Sequence, residues 1–332
     1  MKKISVFILA LLSFVMNNNA QHQINSFFDE MGIVRLETQE LSESSDTLLK
    51  VYHRSDDIVW SRIVYRIVDM RFKQNYPLYN PVSSEDPQYS SLFMVILKGI
   101  QDGLPVYEKS MDVGDIKPYF NLPPMPREMI PTVLNTDRTG ELGDGNIATS
   151  EYMLLNYDST TQEMRFNNYS YRGFARNQLK YLIQEVIFFD KHYSRLYSKI
   201  LAIAPMHSDN VFYYEDMPVM EAVYGQVLFW IPFDYLRPYM AQQYIMPNNN
   251  DSKRVTFDDF FAKKLYTSYI VGASNIHDRM IPDYATTPEE IKKEQERIEW
   301  ELLCVEQDLW AISVIWFFNF FLIYCNLFHE TC

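Results

Sequence analysis

SDDIVWSRIVYRIVDMRFKQNYPLYNP, Ser55 to Pro81, is the densest pattern in the chain. β-Branched and aromatic residues are interleaved with Arg62, Arg66 and Arg71, and the stretch closes on Tyr76 and Tyr79 among prolines. Its apolar residues do not fall at every second position, as a half-buried strand would require. Ser55 is suited to cap a helix, and Asp56 and Asp57 suit the positive end of its dipole. On a helical wheel Arg62, Arg66, Asp69 and Lys73 share one stripe. Trp60, Ile63, Val64, Ile67, Val68 and Met70 cover most of the rest. The pattern predicts a helix buried on most sides with one wet stripe, then an extended exit forced by Pro77 and Pro81. Asp69 on the stripe would neutralise the arginines, which favours a structural ion pair over anion binding.

The surrounding chain of 332 residues is 47% hydrophobic, enough for a sizeable core, and unusually aromatic, with 24 Tyr and 22 Phe. A net charge of −13 argues against a nucleic-acid partner, and 10 glycines argue against a phosphate-cradling loop enzyme. Lys2 and Lys3, the apolar run Ile4–Met16 and the junction Ala20/Gln21 read as a secretory signal peptide over residues 1–20. No cysteine follows that junction, so lipid attachment there is not expected. Cys304, Cys325 and Cys332 all lie near the end, so the exported body has no disulfide framework. Residues 21–55 are polar and acidic and read as a flexible lead-in.

Residues 56–286 read as an α+β core of mixed helices and antiparallel hairpins. Leu92–Gln101 is predicted helical, with Gly103 just past its end and Val106–Tyr107 as a short strand. The proline-rich run Lys117–Pro131 reads as irregular, and NTDRTGELGDGN, Asn135–Asn146, as a flexible loop whose spacing does not match a calcium loop. Hairpins are predicted around Asp158–Thr161 and near Asp190–His192. The aromatic run from Tyr224 to Met240, with Trp230, is expected to be buried. NNNDSKR, Asn248–Arg254, reads as a loop. Thr256 with Asp259 caps a helix, and SYIVGASN from Ser268 reads as a strand. A faint echo between residues 56–150 and 151–286 suggests two similar halves.

Residues 287–310 predict a C-terminal amphipathic helix. Thr287 caps, Pro288 opens the first turn and Glu290 completes a capping box. Ile291, Ile298, Val305 and Ile312 recur every seven residues, with Leu302 and Leu309 four beyond, interrupted at Gln295. That seam predicts a partner helix, from this chain or a neighbour. The apolar tail of residues 311–332 then admits three readings: a membrane anchor, a continuation packed into an apolar pocket, or an altered reading-frame end.

The sequence carries few signs of catalytic chemistry. Among six histidines none forms HxxxH, HxH or HExxH, and no nucleophile elbow, Walker or dinucleotide motif is present. No catalytic, cofactor-binding or metal-binding residue is therefore expected. Asp112/Asp115 and Asp258/Asp259 read as solvated acidic pairs. His192 is the best general-base candidate, beside Asp190, and a turn histidine is more often simply exposed.

Several blocks together resemble one family. DDIVWSRIVYRIVDMRFKQNYPLYNP, LFMVILKGIQDG, IFFDKHYSRLYSKILAIAP, the run from Leu228 to Arg279, and ERIEWELLCVEQDLW follow in order and are similar to the gliding motility protein family GldN, also called PorN. The resemblance spans about residues 50–310. It implies a non-enzymatic periplasmic subunit of the type IX secretion system of Bacteroidota. It further implies a ring on the inner face of the outer membrane, with a GldK/PorK-type lipoprotein partner and the periplasmic part of a GldM/PorM-type motor protein. Trp60, Arg62, Arg66, Asp69, Tyr79, Asp190, Trp230, Ile298, Leu302, Val305 and Leu309 are the candidate interaction or core positions. The alternative from the residues alone is an exported envelope hydrolase or glycan-binding protein, which would need an open cleft near Asp190 or His192.

Overall fold

A computed structural model describes residues 57–81, 89–108, 123–134, 137–141, 147–151, 155–161, 163–166, 179–207, 223–246, 255–275, 277, 279–305 and 307. The expected signal peptide with Ala20 and Gln21, the lead-in before Asp57, the Asn248–Arg254 loop, Leu309, Ile312 and the tail lie outside these residues.

Ile58–Asp69 is a strand, β1, not the helix expected from its wheel. Six of its 12 residues are β-branched: Ile58, Val59, Ile63, Val64, Ile67 and Val68. Such side chains lose rotamer freedom in a helix and pack well on a pleated surface. The missing alternation has a tertiary cause. β1 lies inside the sheet with both faces covered, and such strands read as continuous apolar runs. Beyond it Tyr76–Tyr79 forms one helical turn, α1, with Pro77 in its first turn, where an extended exit was expected.

The later elements follow in order: α2 (Leu92–Asp102), α3 (Ile130–Leu134), β2 (Asp137–Glu141), β3 (Ile147–Glu151), β4 (Leu155–Asp158), β5 (Glu163–Phe166), β6 (Leu179–Asp190), β7 (Arg195–His207), β8 (Gln226–Val227), β9 (Ile231–Pro232), α4 (Phe233–Ala241), α5 (Phe257–Ala262) and β10 (Ser268–Ala273). A last helix, α6, covers residues 288–305. β2 and β3 pair, so the glycine-rich stretch expected to be a loop contributes a strand, β2, to a hairpin with the residues just after it. Val106–Tyr107 shrinks to a single bridge, in which Tyr107 exchanges two 2.9 Å backbone hydrogen bonds with Trp230.

The main sheet is six-stranded and antiparallel, in the order β10-β1-β6-β7-β8, with β9 also on β7. β1 thus sits between β6 and β10, and residues 56–150 and 151–286 contribute to one sheet. One face seats Val68, Tyr181, Ile183 and Ile203 against Phe93 and Ile96 of α2, Leu236 of α4 and Phe261 of α5. Farther along that face Val64, Ile187 and Ile270 pack with Ile281, Ala285, Ile298 and Leu302. The other face seats Tyr65, Ile67, Leu182 and Ala204 under Tyr224, Trp230 and Met280.

Local signals place the ends as the sequence predicts. The Ser91 hydroxyl accepts from the Met94 N–H at the start of α2. Gly103, at φ 104°, supplies the left-handed residue that closes it, where any side chain would be strained. Thr256 accepts from the Asp259 N–H to start α5. Thr287 and Glu290 form the reciprocal box at α6, with bonds of 3.3 and 3.2 Å. The seam of α6 has a different partner from the one expected: Ile298 and Leu302 bury against the sheet, not against a helix. A seven-residue repeat marks one apolar side of a helix, whatever surface covers it.

Candidate functional site

The strand periodicity separates the four charges that the wheel had aligned. From Trp60 to Asp69 side chains alternate, so Arg62 and Arg66 share a face with Val64 and Val68, while Asp69 points to the other. Lys73 lies beyond the strand and is exposed. The arginines find partners far away in sequence. Arg62 donates to Glu301 on α6 at 2.9 Å, and Arg66 to Glu185 on β6 at 2.9 Å.

Glu185 is the deepest charge on this face, its side chain 1% exposed. Lys264 donates to its other oxygen at 2.5 Å. Lys264 stands just past α5 with φ 50°, a left-handed backbone that turns its side chain back to the sheet. Burial pushes the Glu185 carboxyl up, but Lys264 and Arg66 outweigh it and hold it below its ordinary range. Burial, then the Glu185 charge, pushes the nearby Tyr266 phenol up. A charge this buried is tolerated only while fully paired. The triad therefore locks α5, β1 and β6 together and is not an open anion site.

On the opposite face Asp69 is matched in register with Lys180. Arg71 grips both Asp69 oxygens, at 3.0 and 2.6 Å, and adds its backbone N–H at 2.9 Å. Burial raises the Asp69 pKa, and Arg71 overrides it so that the net shift is downward. Lys180 donates to the Tyr224 carbonyl at 2.7 Å, and burial lowers its pKa against the pull of Asp69. Burial alone pushes Tyr224 up to about 12. Asn75, fully buried, ties the end of β1 to the start of β10. Its amide donates to the Asp69 and Thr267 carbonyls, at 2.7 and 2.8 Å, and accepts from the Thr267 N–H at 2.9 Å.

Other candidates fall elsewhere. Asp190 caps the β6–β7 turn, accepting from the N–H groups of His192 and Tyr193 at 2.8 and 3.3 Å. His192 is exposed and meets Tyr193 edge to face. Trp230 is core, and Tyr79 packs edge-on against Tyr76. The acidic pair Asp258/Asp259 is not wholly solvated as expected. Asp258 is buried and holds Arg237 through two bonds of 2.7 and 3.0 Å.

Trp60, Arg62 and Val305 do meet. With Ser61, Ser274, Trp300, Glu301 and Cys304 they line an open groove of ≈ 580 Å³ between the start of β1 and the last turns of α6. Ile298 and Leu302 lie behind it in the core. Trp300 is 63% exposed and Leu303 51%. Within α6, Arg297 pairs with Glu294 at 2.8 Å and also with Glu301. These i,i+3 and i,i+4 spacings were readable in the sequence. The Arg62–Glu301 bond that builds the groove joins residues 239 apart, and no local spacing signals it. The groove has aromatic and aliphatic walls with an internally neutralised ion pair, a surface suited to apolar binding. Among the described residues no three His, Cys, Asp or Glu stand together as a metal site, and no helix is long and apolar enough to cross a membrane.

The family model described as gliding motility associated protein GldN matches residues 53–311. No curated protein matches the chain.

Proposed function

The chain belongs to the GldN family, and from that membership we propose that it is a structural subunit of the gliding motility and type IX secretion machinery, acting by binding. It is exported to the periplasm and works on the inner face of the outer membrane as the repeating unit of a ring. An outer-membrane lipoprotein of the GldK/PorK kind holds it there. The periplasmic part of a motor protein of the GldM/PorM kind contacts the ring. Apolar burial repeated at each subunit contact supplies the free energy of assembly.

The observation that carries this reading is the extent of the family match, which takes in every described element from β1 to α6. The chemistry of the site supports it. Arg62, Arg66, Lys264 and Arg237 are engaged within the chain, and the groove between β1 and α6 has apolar walls. Isolation of the tagged full chain from its native envelope in mild detergent tests the proposal. A lipoprotein recovered in near-stoichiometric amount is the expected result. Recovery of the chain alone at every detergent strength would overturn it.

A further inference from the structure

We infer that the groove between β1 and α6 is the docking site of the chain's own apolar tail, Ala311–Phe328. This goes beyond the family reading, because all of the tail but its first residue lies past residue 311, where the family match ends. Three observations carry the inference.

The first is the groove itself. Trp60 and Val305 are only half-buried, and Trp300 and Leu303 expose about half or more of their surface. Trp300 and Leu303 are three residues apart and share a side of α6. A neighbouring set of apolar side chains on one helix end marks a surface that gains from being covered.

The second is charge. The groove's two ionic groups, Arg62 and Glu301, bond each other at 2.9 Å. An apolar occupant would therefore bury a satisfied pair and leave no lone charge. AISVIWFFNFFLIYCNLF, Ala311–Phe328, contains no charged residue.

The third is reach. Val305 lines the groove, and the apolar run begins six residues later. Gln307 is still helical, and the four residues from there to Ala311 span at most about 14 Å when extended. The α6 wall from Trp300 to Val305 is about 8 Å long at 1.5 Å per residue. A reversal after α6 therefore brings the tail within reach of the groove. The tail thereby removes its own apolar surface, and that of Trp300, from water in one step.

Cys304 lies in the groove and serves as reporter. In the full chain, Cys325→Ser and Cys332→Ser leave it as the sole thiol. Single cysteines are then returned by Val314→Cys, Phe317→Cys, Phe318→Cys or Phe321→Cys. Mild oxidation in dilute, detergent-free buffer is followed by mass spectrometry. The expected result is a Cys304 disulfide within one chain for at least one of the four. In parallel, maleimide labelling of Cys304 is compared with a full-length variant carrying Phe317→Glu and Phe318→Glu. Labelling at least tenfold faster in the charged variant is expected. Disulfides only between two chains would overturn the inference in favour of a second copy. Protection of Cys304 only when lipid vesicles are added would overturn it in favour of the bilayer. Equal labelling with no disulfide would leave the groove without this occupant and also overturn it.

Discussion

Arg62 on β1 and Glu301 on α6 are 239 residues apart in sequence and 2.9 Å apart in space. Their bond ties the last helix to the start of β1, and both residues line the groove. The Arg62 side chain is 20% exposed and that of Glu301 is 40%, so solvent screens the pair and its worth is modest. Arg62→Ala is expected to cost about 0.5–1 kcal/mol. Hydrogen exchange should show faster opening of residues 298–305 with little change in β6. The double swap Arg62→Glu with Glu301→Arg should recover part of that protection. Uniform loosening of the whole sheet would show that the bond does not act on α6.

Glu185 should behave differently because it is buried. Glu185→Gln removes the buried charge that Arg66 and the half-exposed Lys264 both bond, and is expected to destabilise the fold by about 1.5–3 kcal/mol. Urea titration at neutral pH reads this directly, and a loss under about 1 kcal/mol would contradict the locking role. The same logic applies to Arg66: reversing its charge should damage folding before any interface.

The Glu185 carboxyl also sets a pH dependence. Its folded pKa lies below the ordinary 4.5, so the unfolded chain binds its proton first as pH falls. Its contribution is complete above 4.5 and is lost as pH drops through the lower folded value. The stability gap between wild type and Glu185→Gln should be flat near neutrality and shrink on acidification below 4.5. A gap that widens on acidification would reverse the assigned sign.

Asn75 makes three hydrogen bonds at the corner between β1 and β10. Asn75→Ala strands two carbonyls and one N–H, with an expected cost of about 2–4 kcal/mol. Asn75→Asp should be no better, because a carboxylate cannot donate to the Asp69 and Thr267 carbonyls. Thermal denaturation of the two variants checks this, and near-wild-type midpoints would sink it.

Truncation tests the seat of α6. Ile298→Ala and Leu302→Ala remove side chains that are 2% and 8% exposed and should each cost about 2–4 kcal/mol. Glu299→Ala, on the exposed side, should stay within about 0.5 kcal/mol of wild type. Equal effects at all three positions would show that α6 does not rest on the sheet.

The parts of the fold legible in the sequence are those whose determinants are neighbours along the chain. Ser91 and Gly103 bracket α2, Thr287 and Glu290 start α6, and Asp190 turns β6 into β7. β1 is not legible as a strand, because its burial on two faces erases the alternation by which a strand is recognised. Once Val64 and Val68 face one set of partners and Ile67 the other, the run imitates a buried helix. A helical wheel likewise aligns Asp69 with Arg62 and Arg66, although Asp69 lies across the sheet and binds Arg71. The seam of Ile298 and Leu302 was visible, but heptad spacing states only that one side is apolar. That a sheet covers it depends on Val64, Ile187 and Ile270, residues distant in sequence. The groove has the same origin, since Trp60, Ser274 and Trp300 meet only after the sheet and α6 are in place.

Electron microscopy of the complex isolated with the tagged chain tests the central claim most directly. Closed rings in which this chain is a repeating subunit, decorated by antibody to the tag at regular intervals, are the predicted result. A chain that remains monomeric and unattached to any lipoprotein, in envelopes where the secretion machinery is otherwise intact, would contradict it.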